Sequence, residues 1–315
     1  MTRILAAAGI ALLLVAPLLT GNAFYQHLMI MVLFSTLLGT SWNLLGGFAG
    51  QVSFGHAAFL GVGAYTTMLF YLKLNLSPWL GMLAGGGLGA LFALPIGLIC
   101  FRLRGPYFSL ATLAVAEIVR LVALNWEQLT NGPVGLLITT LPQISIAGRA
   151  IDWESKIPFY YLVATLAVLA MTLIYAVSRS RFGAYLAAVR EDIDCAEAVG
   201  IDSVRVRVLA LALSAFVAGV AGGFYALYFR YIDPDAVFAI SLSVEMVFIA
   251  VVGGLATTAG PIVGALVLVS VAEVFRERFA AGHLIFYGLF MMLVIRYLPE
   301  GIWGRLRLLF RFAQG

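Results

Sequence analysis

Apolar runs long enough to cross a lipid bilayer recur along this chain, and no other feature restricts its fold as much. Leu28–Leu45, Trp79–Phe101, Tyr107–Leu124, Tyr160–Val177 and Val208–Phe229 are such runs. A spanning helix needs about 20 mostly apolar residues. Of 315 residues, 63% are hydrophobic and 11% charged, whereas soluble domains carry roughly 25% charged residues. A membrane β-barrel would show short alternating segments instead. The expected fold class is all-α: a polytopic transmembrane helical bundle with about ten segments, some broken or re-entrant. Residues 1–315 then form a single transmembrane domain, because no polar stretch is long enough to build a separate soluble one.

Charge sets the expected orientation. The net charge is +4, carried mainly by arginine, since Lys73 and Lys156 are the only lysines. Arginines gather at the ends of apolar runs, so the positive-inside bias explains them better than nucleic-acid binding. Arg102, Arg104, the Arg179–Arg207 stretch, Arg296, Arg305, Arg307 and Arg311 mark the cytoplasmic side, with both termini there. Residues 125–157, with NGPVG, Trp126 and Trp153, form a loop on the opposite side. The first run, Ile4–Leu19 behind Arg3, is read as a retained span; its outline also fits a signal peptide. Cys100 and Cys195 fall on or near the cytoplasmic side, and no disulfide framework is indicated.

The longest strongly polar stretch is 179–207, RSRFGAYLAAVREDIDCAEAVGIDSVRVR. Asp194 followed by Glu197 has the outline of an N-terminal capping box. Gly200 suits the left-handed residue that ends a short helix. The expectation is a short extramembrane helix around Ala196–Val199 with an Ala/Val face free to pack. The alternative is a solvated loop whose arginines only fix topology.

Two glycine-rich stretches interrupt apolar sequence. The first contains Gly46, Gly47, Gly50, Gly55, Gly61 and Gly63, with Gln51, Ser53 and His56 among them. Backbone without regular hydrogen bonding is tolerated at membrane depth only where protein or a water-filled cavity surrounds it. A helix break is therefore expected at about 46–55, followed by a span from His56 to Leu72. His56 is either a pathway residue or a neutral histidine satisfied by its neighbours. The second stretch, GGLATTAG, holds Gly253, Gly254 and Gly260. It is expected to join two short crossing or re-entrant pieces, about Ser241–Val252 and Pro261–Phe275. A tight turn with glycine-mediated helix packing remains the alternative at both.

Few carboxylates lie within the apolar runs: Glu117, Glu245 and Glu273. Glu117 and Arg120 are three residues apart, share a helix face and can pair. There is no GxxxxGK[ST] motif, no Cys/His set with metal spacing and no nucleophile motif. Neither metal nor cofactor is expected, and any nucleotide chemistry belongs to another chain. An ion-coupled carrier would show a clearer charge relay, though a stand-alone carrier or channel stays open.

The residues also carry a resemblance. WNLLGGFAGQVSFGHAAFLGVGAY resembles the N-terminal signature of LivH/LivM-type permeases of ABC importers, and REDIDCAEAVGI resembles their EAA loop. The similarity runs from about Leu28 to Pro299. It implies a non-enzymatic permease subunit in the inner membrane, moving leucine, isoleucine or valine. It also implies a LivH-type permease partner, two ATP-binding subunits on the cytoplasmic side and a periplasmic binding protein. The loop 179–207 would then couple to the ATPase through Gly183, Arg190, Glu191, Asp194, Ala196, Glu197, Ala198 and Gly200. A urea or short-chain amide importer would share both motifs.

Overall fold

The computed structural model describes residues 16–17, 21–103, 105–142, 145–146, 149–150, 152–279, 283–298 and 300–305. The expected first span and the arginines at 104, 307 and 311 lie essentially outside these. The described chain is built from helices α1 (Ala23–Asn43), α2 (His56–Leu72), α3 (Pro78–Cys100), α4 (Pro106–Asn125), α5 (Glu127–Thr130), α6 (Lys156–Arg179) and α7 (Arg181–Glu191). It continues with α8 (Ile193–Ala198), α9 (Ser203–Phe229), α10 (Pro234–Val237), α11 (Ile240–Gly253), α12 (Gly260–Phe279) and α13 (His283–Tyr297). Strands are limited to two-residue pieces: β1 (Leu136–Leu137), β2 (Ser145–Ile146), β3 (Arg149–Ala150) and β4 (Tyr231–Ile232).

Among the described residues, six helical segments are long and apolar enough to cross a membrane: Ala23–Phe48, Pro78–Cys100, Pro106–Asn125, Lys156–Arg179, Ser203–Phe229 and Pro234–Gly253. The chain is an all-α, multi-pass membrane protein. Three further helices stand beside these six. α2 has 17 residues and α13 has 15. α12 is longer than its sequence pattern suggests because it continues through Glu273, Arg276, Glu277 and Arg278.

Helix starts follow local chemistry. The side chains of Asn22, Ser155, Ser180, Asp192, Asp202 and Asp233 each accept a backbone N–H from the turn they precede, satisfying donors that would otherwise be orphaned. The central helix is α9, which packs on α2 and α3. A Cβ at Gly222 would lie 1.9 Å from the Leu60 carbonyl oxygen, so only glycine lets α9 approach α2 this closely. Many large apolar side chains point away from the bundle, Leu91, Leu110 and Leu169 among them, as a hydrocarbon surround allows.

The bundle has two unlike ends. At one, here the arginine-rich end, lie α7, α8 and the start of α9. At the other, the loop end, β1 pairs antiparallel with β4, Leu136 opposite Ile232. Arg230 ties this end together: Nη2 donates to the Trp153 carbonyl at 2.9 Å and Nη1 pairs with Glu154 at 3.1 Å. Trp153 in turn packs on Trp79, with centroids 4.4 Å apart.

Candidate coupling and translocation site

The first glycine stretch is a true interruption. Helix α1 widens into a π-turn at Leu44–Phe48, and regular structure resumes only at His56. π-turns recur at functional positions in helices. Gly50 adopts φ +68°, a left-handed conformation that costs an L side chain about 1–2 kcal/mol. The unwound backbone is satisfied from neighbouring segments. Gln51 N–H donates to the Leu45 carbonyl at 3.1 Å. The Val52 carbonyl accepts from Ser109 Oγ at 2.7 Å, and the Ser53 carbonyl from Trp42 Nε1 at 2.7 Å. Phe54 N–H donates to Thr112 Oγ1 at 3.2 Å, and Ala57 N–H to Ser243 Oγ at 2.9 Å. Irregular backbone is thus held partly by protein and partly at the wall of a cavity, the settings in which a membrane protein tolerates it.

His56 is fully buried at the start of α2. Its Nε2 lies 2.8 Å from Ser214 Oγ and its Nδ1 3.2 Å from Ser53 Oγ. Ser214 Oγ donates to the Ser41 carbonyl at 2.6 Å, so it accepts from His56, which assigns the Nε2–H tautomer. Both ring nitrogens are engaged, as in the satisfied-histidine reading. Ser41 returns the bond to the Ser214 carbonyl at 2.7 Å, clasping α1 to α9.

The second stretch closes against the first. α11 ends at Gly253, Gly254 has φ +121°, and α12 begins at Gly260. Thr257 Oγ1 accepts the Gly260 N–H at 3.0 Å. Asn43, the last residue of α1, reaches across with both ends of its amide. Its Nδ2 donates to the Thr257 carbonyl at 2.8 Å and its Oδ1 accepts the Ala256 N–H at 3.0 Å. Gly47 sits beneath this bridge, where a Cβ would lie 2.0 Å from Asn43 Oδ1. Gly46 lies under the Trp42 ring, Gly55 against Thr112 and Gly253 against Gly260. Gln51 lines a cavity of about 420 Å³ at the arginine-rich end with Gly50, Ile193 and Arg207.

The polar stretch 179–207 holds two helices, α7 and α8, where one was expected. The cap of α8 is Asp192, two residues before the expected Asp194: its Oδ1 accepts Cys195 N–H at 2.9 Å. The third helical position is therefore Cys195, and no capping box forms. These backbone N–H groups hold the Asp192 carboxyl below its ordinary range. Glu197 instead accepts a short hydrogen bond from Ser203 Oγ at the foot of α9. Gly200, with φ +89°, ends the turn.

Of the residues expected to couple to the ATPase, three face the permease. Ala196 is buried in the core with Leu186 and Val189. Gly183 packs on the end of α6. Arg190 Nη1 points to the Gly47 carbonyl at 3.4 Å and its stem covers Gly50. Glu191, Asp194, Glu197, Ala198, Val199 and Gly200 stay exposed, Val199 at 77%. Ala198–Val199 is therefore the exposed apolar surface of α8 and its end. Arg207, within the same stretch, is buried over the Phe101 ring and donates to the Ser203 carbonyl at 3.0 Å.

Glu117 and Arg120 pair as their spacing implies, with Arg120 Nε 3.0 Å from Glu117 Oε2. The pair extends into a triad: Arg120 Nη1 also meets Asp235 Oδ1 at 2.5 Å. Asp235 lies in α10, so the cluster belongs to the loop end of α4 and is not an isolated pair in mid-helix. Sequence reasoning missed Asn43, Ser214, Thr257 and Asp235, because each acts across a long separation in the chain.

Residues 24–295 match the family described as branched-chain amino acid transport system, permease component. The high-affinity branched-chain amino acid permease LivM of Salmonella typhimurium is 29% identical over 293 residues, covering 86% of this chain and 68% of that protein. The LivH permease of the same organism is 25% identical, covering 85% of this chain and 91% of that protein. The nucleoside ABC transporter permease NupC of Lactococcus lactis subsp. cremoris is 28% identical, covering 56% of this chain and 59% of that one. With residues 24–295 matched, the chain belongs to the branched-chain amino acid permease family of ABC transporters.

Proposed function

We propose that this chain is one permease of a heterodimeric, ATP-driven importer of leucine, isoleucine and valine, paired with a LivH-type permease. About ten segments cross or re-enter the inner membrane, with both termini cytoplasmic. Two ATP-binding subunits sit on the cytoplasmic side, one of them docking on α7 and α8, and a periplasmic binding protein docks on the loop end. ATP hydrolysis resides on those separate subunits.

One observation carries this reading: Arg190 of α7 packs on Gly50 and reaches the Gly47 carbonyl, and Asn43 carries the connection on to Thr257. Displacement of α7 and α8 by an ATPase therefore bears directly on the first helix break and, through Asn43, on the second. Residues 46–55 and 253–260 would then shift together, opening the pathway to alternate sides. The exposed Ala198–Val199 surface, flanked by Glu197, suits docking into a groove on the ATPase. The paired strands and the Arg230 anchor give the opposite end a firm surface for a binding protein.

The test is uptake into proteoliposomes holding this chain, its partner permease, the ATPases and the binding protein. Leucine uptake should require ATP, and Glu197→Arg and Val199→Asp should abolish it together with ATPase association. Uptake without ATP, indifferent to both substitutions, would mark a stand-alone carrier or channel. The similarity to a nucleoside permease makes nucleosides the second substrate class to assay, with urea and short-chain amides third.

A further inference from the structure

Four helices line a half-open cavity of about 700 Å³ that none of the coupling residues touches. Its walls come from α1, α11, α12 and α13. Most of the lining is apolar, including Met31, Phe248 and Leu268. Against this background stand Glu245 and Arg276. Glu245 Oε1 accepts a hydrogen bond from Ser35 Oγ at 3.3 Å. Arg276 Nη2 pairs with Glu273 at 2.7 Å.

Both charges line the cavity, which runs from the loop end over 240–248 of α11 and 268–276 of α12, with Arg276 nearer the loop end and Glu245 deeper. Glu245 is five residues into α11, which starts at that end, a rise of about 7.5 Å. Arg276 is three residues from the end of α12, about 4.5 Å. A carboxylate within an apolar bundle is costly and marks function unless an opposite charge meets it. Glu273 occupies one edge of the Arg276 guanidinium, and the group carries five N–H donors. Donors remain for a second carboxylate, which the planar fork is shaped to hold.

We infer that this cavity is a transit site for the zwitterion of a hydrophobic α-amino acid. Glu245 receives the ammonium, Arg276 receives the carboxylate, and the apolar wall receives the side chain. The assignment rests on the amino-acid importer reading. It adds where in this chain the substrate pauses and which groups recognise its two charges. A lipid chain would leave Glu245 without a counter-charge, so it fits the chemistry less well.

The experiment uses the reconstituted transporter with Cys195→Ser, which removes the exposed native thiol; Cys100 is buried. Ala272→Cys then places a reporter in the cavity wall, and its labelling by a maleimide is followed alongside uptake. Leucine should slow labelling, while leucinol and 4-methylvalerate, each lacking one charge, should not. Glu245→Gln should weaken leucine protection on the order of tenfold, the scale of one hydrogen bond to a charged group. Glu245→Asp should recover part of it, which separates recognition from misfolding. If leucine is transported but never protects, the cavity is not on its route and the inference falls while the importer reading stands. If leucine protects but ATP drives no uptake, the importer reading falls and the amino-acid site stands. If neither occurs, both fall.

Discussion

Asn43 is bonded to the segment around Thr257, more than two hundred residues later, by both ends of its side-chain amide. It is 1% exposed, so loss of the amide leaves the part-buried Ala256 N–H and Thr257 carbonyl without their partner. Asn43→Ala should destabilise the permease by about 1–3 kcal/mol for each group left unsatisfied. Asn43→Asp keeps an acceptor for Ala256 N–H but loses the donor to Thr257 and adds a charge, so it should be no better. Thermal unfolding of the purified complex measures this. A wild-type melting temperature for Asn43→Ala would show that the two breaks hold together without the bridge.

Gly50→Ala tests the link from α7 to the first break. The new Cβ would require φ +68° and would lie 2.7 Å from Arg190 Cγ. The conformation alone should cost about 1–2 kcal/mol, and the contact displaces Arg190 from Gly47. We expect the ATPases to associate normally while ATP hydrolysis and uptake become uncoupled. Measuring the ATP consumed per amino acid imported decides the point. An unchanged ratio would remove Arg190 from the coupling route.

His56 should act as a structural histidine. Ser214→Ala deprives Nε2–H of its acceptor and removes one of the two bonds that clasp α1 to α9, leaving the one from Ser41 Oγ to the residue 214 carbonyl. The expected loss is about 1–3 kcal/mol, with uptake per folded transporter and substrate preference unchanged. Competition among leucine, valine and urea in the variant checks this. A shifted preference at unchanged stability would return His56 to the translocation pathway.

The helices were legible in sequence because apolar length, proline and glycine mark them locally. The run expected at Trp79–Phe101 is observed as Pro78–Cys100, and His56–Leu72 matches at both ends. The breaks were legible as composition, but their mutual contact was not. Asn43 is a single polar residue at the end of an apolar run, and nothing nearby distinguishes it from a surface amide. The α8 cap was misplaced for a local reason. Asp192 and Asp194 are both plausible caps, and what separates them is the extended backbone of Asp192, φ −157° and ψ 119°. The inward turn of Arg190 and Ala196 depends on packing against α1 and α9, which periodicity in helices of eleven and six residues does not reveal.

The Asp192 cap makes a prediction with a definite sign. Its carboxyl is held below the ordinary value of about 3.9 chiefly by the Cys195 N–H. A depressed folded value means that the stabilisation is complete above the unfolded value and is lost as pH falls through the folded one. The order of α8 should therefore be flat between roughly pH 5 and 8 and fall only below about 4. Asp192→Asn keeps an oxygen acceptor that does not titrate, so its α8 should stay ordered further into acid. Asp192→Ala removes the acceptor at every pH, and ATPase affinity should fall on the order of fivefold, the size of a lost cap. Amide exchange across residues 193–198, corrected for the intrinsic pH dependence of exchange, reads the order directly. Fraying that sets in near neutral pH, in wild type and Asp192→Asn alike, would assign the control of α8 to a group other than Asp192.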